Sequence, residues 1–233
     1  MAKILVITPS YNEKDTVIVL IEKLFHLKLD LDVLVVDDSK DETGDLIKKK
    51  QLERANLYLI KRQGKLGRGT AVLDGLKFGF NKDYQYFVEM DADLSHQPDE
   101  LPSLMSLAAP NQVVIGSRYL KESKIVNWPF KRRIFSRLAN FYAGLILGIG
   151  IHDYTNGFRV YGREAALKIN FGEIKSTGYI VLSEIAYQLF KKGVEFVEQK
   201  TIFINRSRGR SNFSFKEIKE SFLSVLRIKR NFK

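Results

Sequence analysis

Four short runs of apolar, largely β-branched residues limit what this chain can become: Ile4-Leu5-Val6-Ile7, Val33-Leu34-Val35-Val36, Leu57-Tyr58-Leu59-Ile60 and Tyr86-Phe87-Val88. The first three are each followed by a stretch with helical spacing, Thr16 to Leu27, Thr43 to Arg54 and Gly69 to Phe80. A strand that is apolar at every position is covered on both faces, and strands that alternate with helices are joined by crossovers. The pattern therefore predicts an α/β fold, a Rossmann-like mostly parallel sheet flanked by helices. Beyond residue 120 the spacing predicts a long helix from about 130 to 148, a turn at Thr155-Asn156-Gly157 and a helix from about Ile180 to Lys192. A strand near Phe196 to Ile204 and a last helix from about 214 to 229 follow. No repeat, low-complexity tract or Pro/Gly/Ser linker divides the 233 residues, so one domain is expected, with 1–120 and 121–233 as its halves.

In such sheets ligands sit beyond the carboxyl ends of the strands. There the sequence places Pro9-Ser10-Tyr11-Asn12-Glu13, Asp37-Asp38, Asp91 with Asp93, and, after Val113-Val114-Ile115, Gly116-Ser117-Arg118. In extended backbone residues i and i+2 face one way, so Asp91 and Asp93 present two carboxylates to one side. Like charges so placed tolerate each other best around a hard divalent cation, and oxygen-only ligation favours Mg²⁺ or Mn²⁺. Gln97 or His96 could add a ligand or orient one. The competing reading is that these aspartates start a turn and the helix that opens at Pro98-Asp99-Glu100. An Asp at position 37 or 38 could accept hydrogen bonds from a ribose or a base. Gly64-Lys65-Leu66-Gly67-Arg68-Gly69-Thr70 is neither G-x-G-x-x-G nor a Walker loop and follows the third strand, which disfavours dehydrogenases and P-loop NTPases.

Composition excludes more. There is no cysteine, hence no disulfide and no thiolate metal site, and His26, His96 and His152 lack zinc-ligand spacing. The apolar run before Thr8-Pro9 is too short for a secretory signal, so the chain is expected in the cytoplasm. The longest mostly apolar stretch, 138–151, is 14 residues, short of the roughly 20 needed to span a bilayer. The net charge of +11 is concentrated: six Lys/Arg face Glu122 alone within 121–140, and nine face Glu217 and Glu220 within 201–233. An anionic ligand or surface is expected near those two segments, although solvated basic faces would look the same. Nucleic acid is not the expected partner, because the strands carry few cations and no recognisable reading module is present.

Taken in order, Pro9-Ser10-Tyr11-Asn12-Glu13, Asp37-Asp38-Ser39 with Asp41 and Thr43, Lys65-Leu66-Gly67-Arg68-Gly69-Thr70-Ala71, Met90-Asp91-Ala92-Asp93-Leu94-Ser95-His96 and Gly116-Ser117-Arg118-Tyr119 resemble the family 2 glycosyltransferases. Within them the match is to the polyprenyl (dolichyl) phosphate mannosyltransferases, as a catalytic domain without transmembrane helices. It continues through Trp128-x-x-Lys131-Arg132-Arg133, Ser136-Arg137, Asp153-x-Thr155-x-Gly157-Phe158-Arg159, Gly178-Tyr179 with Glu184, and Arg206-x-x-Gly209-x-Ser211. The resemblance implies a GT-A fold, a nucleotide-sugar donor with GDP-mannose favoured, a divalent metal, and polyprenyl or dolichyl phosphate as acceptor. It places Pro9, Tyr11, Glu13 and Asp38 around the nucleotide and gives Asp91 and Asp93 the metal, with Gln97 as a further candidate ligand. Arg118, Arg132, Ser136 and Arg206 fall at the acceptor phosphate or donor pyrophosphate. This chain departs from the pattern in its second motif, one residue shorter with Glu42 for Gly, and at Asn212, where Lys is usual. A family 2 transferase using UDP-glucose or another donor, or a sugar acceptor, shares the same motifs.

A lipid acceptor stays in its bilayer, so peripheral contact with the cytoplasmic face of a membrane is implied, by the chain alone or through a small membrane subunit. At helical spacing Phe135, Leu138, Ala139, Tyr142, Leu145, Ile146 and Ile149 form one apolar stripe, and Phe215, Ile218, Phe222, Val225 and Leu226 another, each beside basic residues. Packing against the core would produce the same stripes. Asp153 fits either the site or a turn.

Overall fold

The computed structural model describes residues 3–176, 178–205 and 215–232, with 215–221 as helix backbone only. Seven strands form one sheet: β1 (Ile4–Ser10), β2 (Leu31–Asp37), β3 (Leu57–Lys61), β4 (Tyr86–Glu89), β5 (Gln112–Ser117), β7 (Arg159–Gly162) and β8 (Glu195–Lys200), in the order β3-β2-β1-β4-β7-β5-β8. All pairings are parallel except those of β7, which runs antiparallel between β4 and β5. Its four residues are too few to show a period, so the sequence does not reveal the inserted strand. The strand expected near Phe196 to Ile204 is broken at Thr201. Its second part, β9 (Ile202–Ile204), leaves the main sheet to pair in parallel with β6 (Lys124–Val126). Glu100 holds the break by accepting from the Thr201 hydroxyl and, at 2.9 Å, from the Ile202 N–H.

The period of two sorts each strand between two cores. Leu5, Ile7, Leu34 and Val36 enter one, Ile4, Val6, Val33 and Val35 the other. The second core is closed by α1 (Val17–His26), α2 (Thr43–Gln51) and α4 (Leu101–Met105). The first is closed by α3 (Arg68–Phe80), α5 (Phe130–Leu147), α6 (Arg163–Leu167), α7 (Val181–Lys191) and α8 (Phe215–Asn231). Helix α3 approaches β1 so closely that a Cβ on Gly75 would lie 2.3 Å from the Ile7 side chain, which is why this helix accepts a residue of poor helix propensity there.

β1 connects to β2 on one side of itself, while β4 lies on the other. That is a topological switch point, where the loops after neighbouring strands diverge and leave a crevice. Since Glu89 pairs with Arg159 at the start of β7, the segment leading into this antiparallel strand lies at the same sheet edge as the ends of β1, β2, β4 and β5.

Helix α5 carries the expected stripe differently. Ala143, Leu147 and Ile149 are buried and Tyr142 and Ile146 pack against the core, whereas Phe130, Ile134, Leu138, Phe141 and Leu145 are 43 to 75% exposed. The spacing of four, four, three and four keeps those five on one outward face. In α8 Val225 and Ile228 are buried while Leu223 and Leu226 are exposed, and the Phe222 ring lies 4.5 Å from that of Tyr142. No helix of the described residues is long and apolar enough to cross a membrane.

Candidate active site

At the ends of β1 and β2, two loops are stitched together. Asn12, in the left-handed region at φ 57°, donates its N–H to the Ser39 hydroxyl at 2.7 Å, and the Glu13 N–H donates to the Thr43 hydroxyl at 3.1 Å. Thr43 in turn donates to Asp41 at 2.5 Å, so the shortened motif still closes its local network. Pro9 is half-buried at the end of β1, and Tyr11 is exposed, with the Lys65 ammonium 4.4 Å from its ring centre. Asp38 is buried under a bidentate Arg62, at 2.6 and 2.7 Å, and also accepts the N–H groups of Leu66 and Gly67. In this arrangement it anchors the glycine loop of 64–69. The sequence reading missed Arg62, whose partner lies 24 residues away.

At the end of β4, Asp91 and Asp93 are half-buried. Asp93 accepts the Ser95 N–H at 3.0 Å across Leu94, which sits at φ 59°. A leucine in that region is strained, and strain of this kind concentrates where a turn must aim a side chain. Gln97 donates its amide to the carbonyls of Leu94 and Ser95, bracing the turn. His96 accepts the Asp91 N–H on Nδ1 at 3.2 Å and donates from Nε2 to Asn156 at 2.8 Å, so it orients the segment. Burial alone would push the Asp91 carboxyl up, but Arg68, with His96 and Arg118 nearby, holds it below the usual range.

No group of three or more His, Asp or Glu side chains arranged to hold a metal occurs among the described residues. The donor set nevertheless fits a hard cation that shares its shell with a ligand's phosphates. Asp91 and Asp93 are oxygen-only, and the Ser95 hydroxyl beside them is buried with no hydrogen-bond partner among the described residues.

The basic pole lies at the end of β5. Arg118 donates from Nε and Nη2 to the two oxygens of Asp153, both at 2.8 Å, and from Nη2 to Thr155 at 2.7 Å. Both charges are buried. Burial opposes the charged form of each, and their mutual attraction overrides it, holding Asp153 below the carboxylate range and Arg118 above its own. Asp153 thus serves both readings left open by the sequence: it shapes the turn, accepting the N–H groups of Thr155 and Asn156, and it fixes Arg118. Arg118 and Arg132 lie 5.3 and 4.2 Å from the centre of the Trp128 ring. Ser136 accepts from the Tyr119 hydroxyl at 2.6 Å. A cavity of about 250 Å³ adjoins them, lined by Arg118, Arg133 and Arg137 and by Ile125, Phe130 and Ile134. A larger hollow of about 540 Å³, near Glu173, Lys191 and Phe232, includes none of the expected site residues. Arg206, with Gly209, Ser211 and Asn212, lies outside the described residues.

The two poles are joined. From the Asp91 N–H the chain of hydrogen bonds runs through His96 and Asn156, whose own N–H reaches Asp153 and so Arg118. Chemically, this edge offers oxygen ligands for a cation opposite fixed guanidiniums for an anion.

A family model described as Glycosyl transferase family 2 matches residues 5–169. The polyprenol monophosphomannose synthase of Mycolicibacterium smegmatis is 37% identical over 224 residues, covering 95% of this chain and 84% of that one. The undecaprenyl-phosphate mannosyltransferase of Micrococcus luteus is 34% identical over 226 residues, 97% of this chain and 93% of that one. Among solved structures, glucosyl-3-phosphoglycerate synthase from Mycobacterium tuberculosis in complex with Mn²⁺, UDP and glucosyl-3-phosphoglycerate is similar with a TM-score of 0.66 at 17% identity, over 99% of this chain and 80% of that one. Mannosyl-3-phosphoglycerate synthase from Rubrobacter xylanophilus gives 0.67 at 20% identity, over 98% and 73%. At such identities these structures speak for the shared architecture.

Proposed function

The chain belongs to glycosyl transferase family 2 and has its GT-A fold, and on that premise we propose that it transfers mannose from GDP-mannose to the phosphate of a polyprenol such as dolichol, with inversion, at the cytoplasmic surface of a membrane. The observation that carries this reading is the pairing of the two poles: carboxylates at the switch point, and beside them arginines held rigid against Trp128. The relatives named for mannose transfer to polyprenyl phosphate support the choice of sugar and acceptor.

In this reading residues 1–120 hold the donor, with Pro9, Tyr11 and Glu13 at the nucleotide and Asp38 keeping the glycine loop in place beneath it. Asp91 and Asp93 would hold Mg²⁺ or Mn²⁺, which supplies neutralisation of the charge that builds on the departing diphosphate. Residues 121–233, together with Arg118, receive the acceptor. A phosphate monoester has its second pKa near about 6 and is an anion at neutral pH, so attack on the anomeric carbon needs no strong base. It needs orientation. Asp153 and Thr155 occupy Nε and Nη2 of Arg118, which leaves Nη1 for a phosphate oxygen, while the Trp128 ring and Asn205 hold Arg132 for a second contact. Ser136 adds a hydroxyl, and Arg206 completes the set. The outward row of α5 meets the acyl chains, with Lys131, Arg133 and Arg137 toward the headgroups; a small membrane subunit is a further means of attachment.

The test is a transfer assay on polyprenyl phosphate in liposomes, comparing GDP-mannose with UDP-glucose, each with Mn²⁺, with Mg²⁺ and with EDTA. Turnover with GDP-mannose that EDTA abolishes is expected. Preference for UDP-glucose would overturn the donor, and EDTA-resistant turnover would overturn the role given to Asp91 and Asp93.

A further inference from the structure

Arg68, the first residue of α3, lies against the carboxylates expected to hold a cation. Its Nε donates to Oδ1 of Asp91 at 2.7 Å; Nη2 is equally close to that oxygen but poorly aligned, and its attraction is electrostatic. Nη1 donates to Oε1 of Glu89 at 2.5 Å. Glu89 is buried, and its other oxygen accepts the Tyr161 hydroxyl at 3.2 Å. The guanidinium is fixed from two further sides. The Tyr179 ring centre is 5.3 Å away, and a Cβ on Gly157 would come within 1.8 Å of Nη2. The sequence thus leaves room for this guanidinium at the expense of a side chain at 157.

Arginine keeps its charge at any physiological pH, so the ion pair is not relieved by losing a proton. Both contacts fall on Oδ1 of Asp91, so a cation there must either displace Arg68 from that oxygen or bind at Oδ2 against the guanidinium's charge. Resting on the cation reading above, we propose that Arg68 is an internal competitor for the divalent cation: shared between Asp91 and Glu89, it offsets one of their two charges in the free enzyme and keeps cation affinity low until the donor's diphosphate arrives to take over as its counter-ion. The two ligands then bind as a coupled pair, each raising affinity for the other by the same factor.

Mn²⁺ binding without nucleotide, followed by the EPR signal of the free ion, tests this on the full chain. Removing the charge in Arg68→Met, or in Arg68→Gln should the first variant fold poorly, should tighten Mn²⁺ by about tenfold or more, within the usual range of a coupling between neighbouring sites. Arg68→Lys, which keeps the charge, should stay close to wild type. The neutral variants should also gain more in Tm from Mn²⁺ than wild type does, since Glu89 and Asp91 have lost their partner. Equal or weaker Mn²⁺ affinity in the neutral variants overturns the proposal. Asp91→Asn separates the two readings: if it binds Mn²⁺ as wild type does, the cation is not held at Asp91 and both fail, whereas loss of binding there together with unchanged affinity in Arg68→Met sinks only the role of Arg68.

Discussion

Asp153 and Arg118 pair two buried charges inside the site. Such a pair is costly to desolvate and costlier to break, because the survivor is left buried and alone. Asp153→Asn should therefore destabilise the chain by about 3–5 kcal/mol, and the double variant with Arg118→Met should recover part of that loss in urea unfolding. The acid limb has a definite sign. Asp153 titrates below its unfolded value when folded, so its contribution is complete above the ordinary carboxylate value of about 4 and fades as pH falls through the lower folded one. Urea midpoints measured from pH 5 downward should fall more steeply in wild type than in Asp153→Asn. Asp93→Ala, which removes a half-buried carboxylate that accepts the Ser95 N–H, should nearly abolish transfer; full activity would contradict its assignment. Asp91 and Asp93 were legible because both follow a strand and stand two apart. The roles of Arg62 and Arg68 and the His96 contact with Asn156 were not, since Arg62 reaches Asp38 across 24 residues, Arg68 reaches Asp91 across 23 and His96 reaches Asn156 across 60, and no local pattern marks them.

Helix α5 is an element with two apolar faces, and periodicity alone could not say which one the core would take. The core took the side of Ala143, Leu147 and Asn140, where small residues allow close approach and Asn140 accepts the Tyr154 N–H at 2.7 Å. The other face is left to Phe130, Ile134, Leu138, Phe141 and Leu145. Phe141→Asp combined with Leu145→Asp should lower flotation with anionic liposomes by about tenfold or more while leaving Tm nearly unchanged, as apolar area buried in lipid is lost but none in the core. Tyr142→Ala should behave in the opposite way, lowering Tm through its lost contact with Phe222. Helix α8 calls for the same care. Deleting 214–233 would strip Val225 and Ile228 from the core, so Leu223→Asp with Leu226→Asp is the cleaner probe of its outward side.

For the whole molecule, strand composition foretold the parallel half, because each run apolar on both faces has only one kind of place to go. What it could not foretell was β7, whose four residues insert antiparallel between β4 and β5 and carry the segment from Asp153 to Phe158 into the crevice. That insertion makes one site of two sequence halves, with carboxylates from the first and guanidiniums partly from the second. The small cavity beside Arg118 ends against Phe130 and Ile134, at the root of the outward row of α5. On the function proposed above, a polyprenyl phosphate would set its headgroup there and leave the rest of its chain in the leaflet. An enzyme built this way would read the knot and ignore the rope: acceptors of eight or eighteen isoprenes, offered at equal density in the same vesicles, should be consumed with the same kcat/KM, and a strong dependence on length would mean that some deeper channel measures the tail.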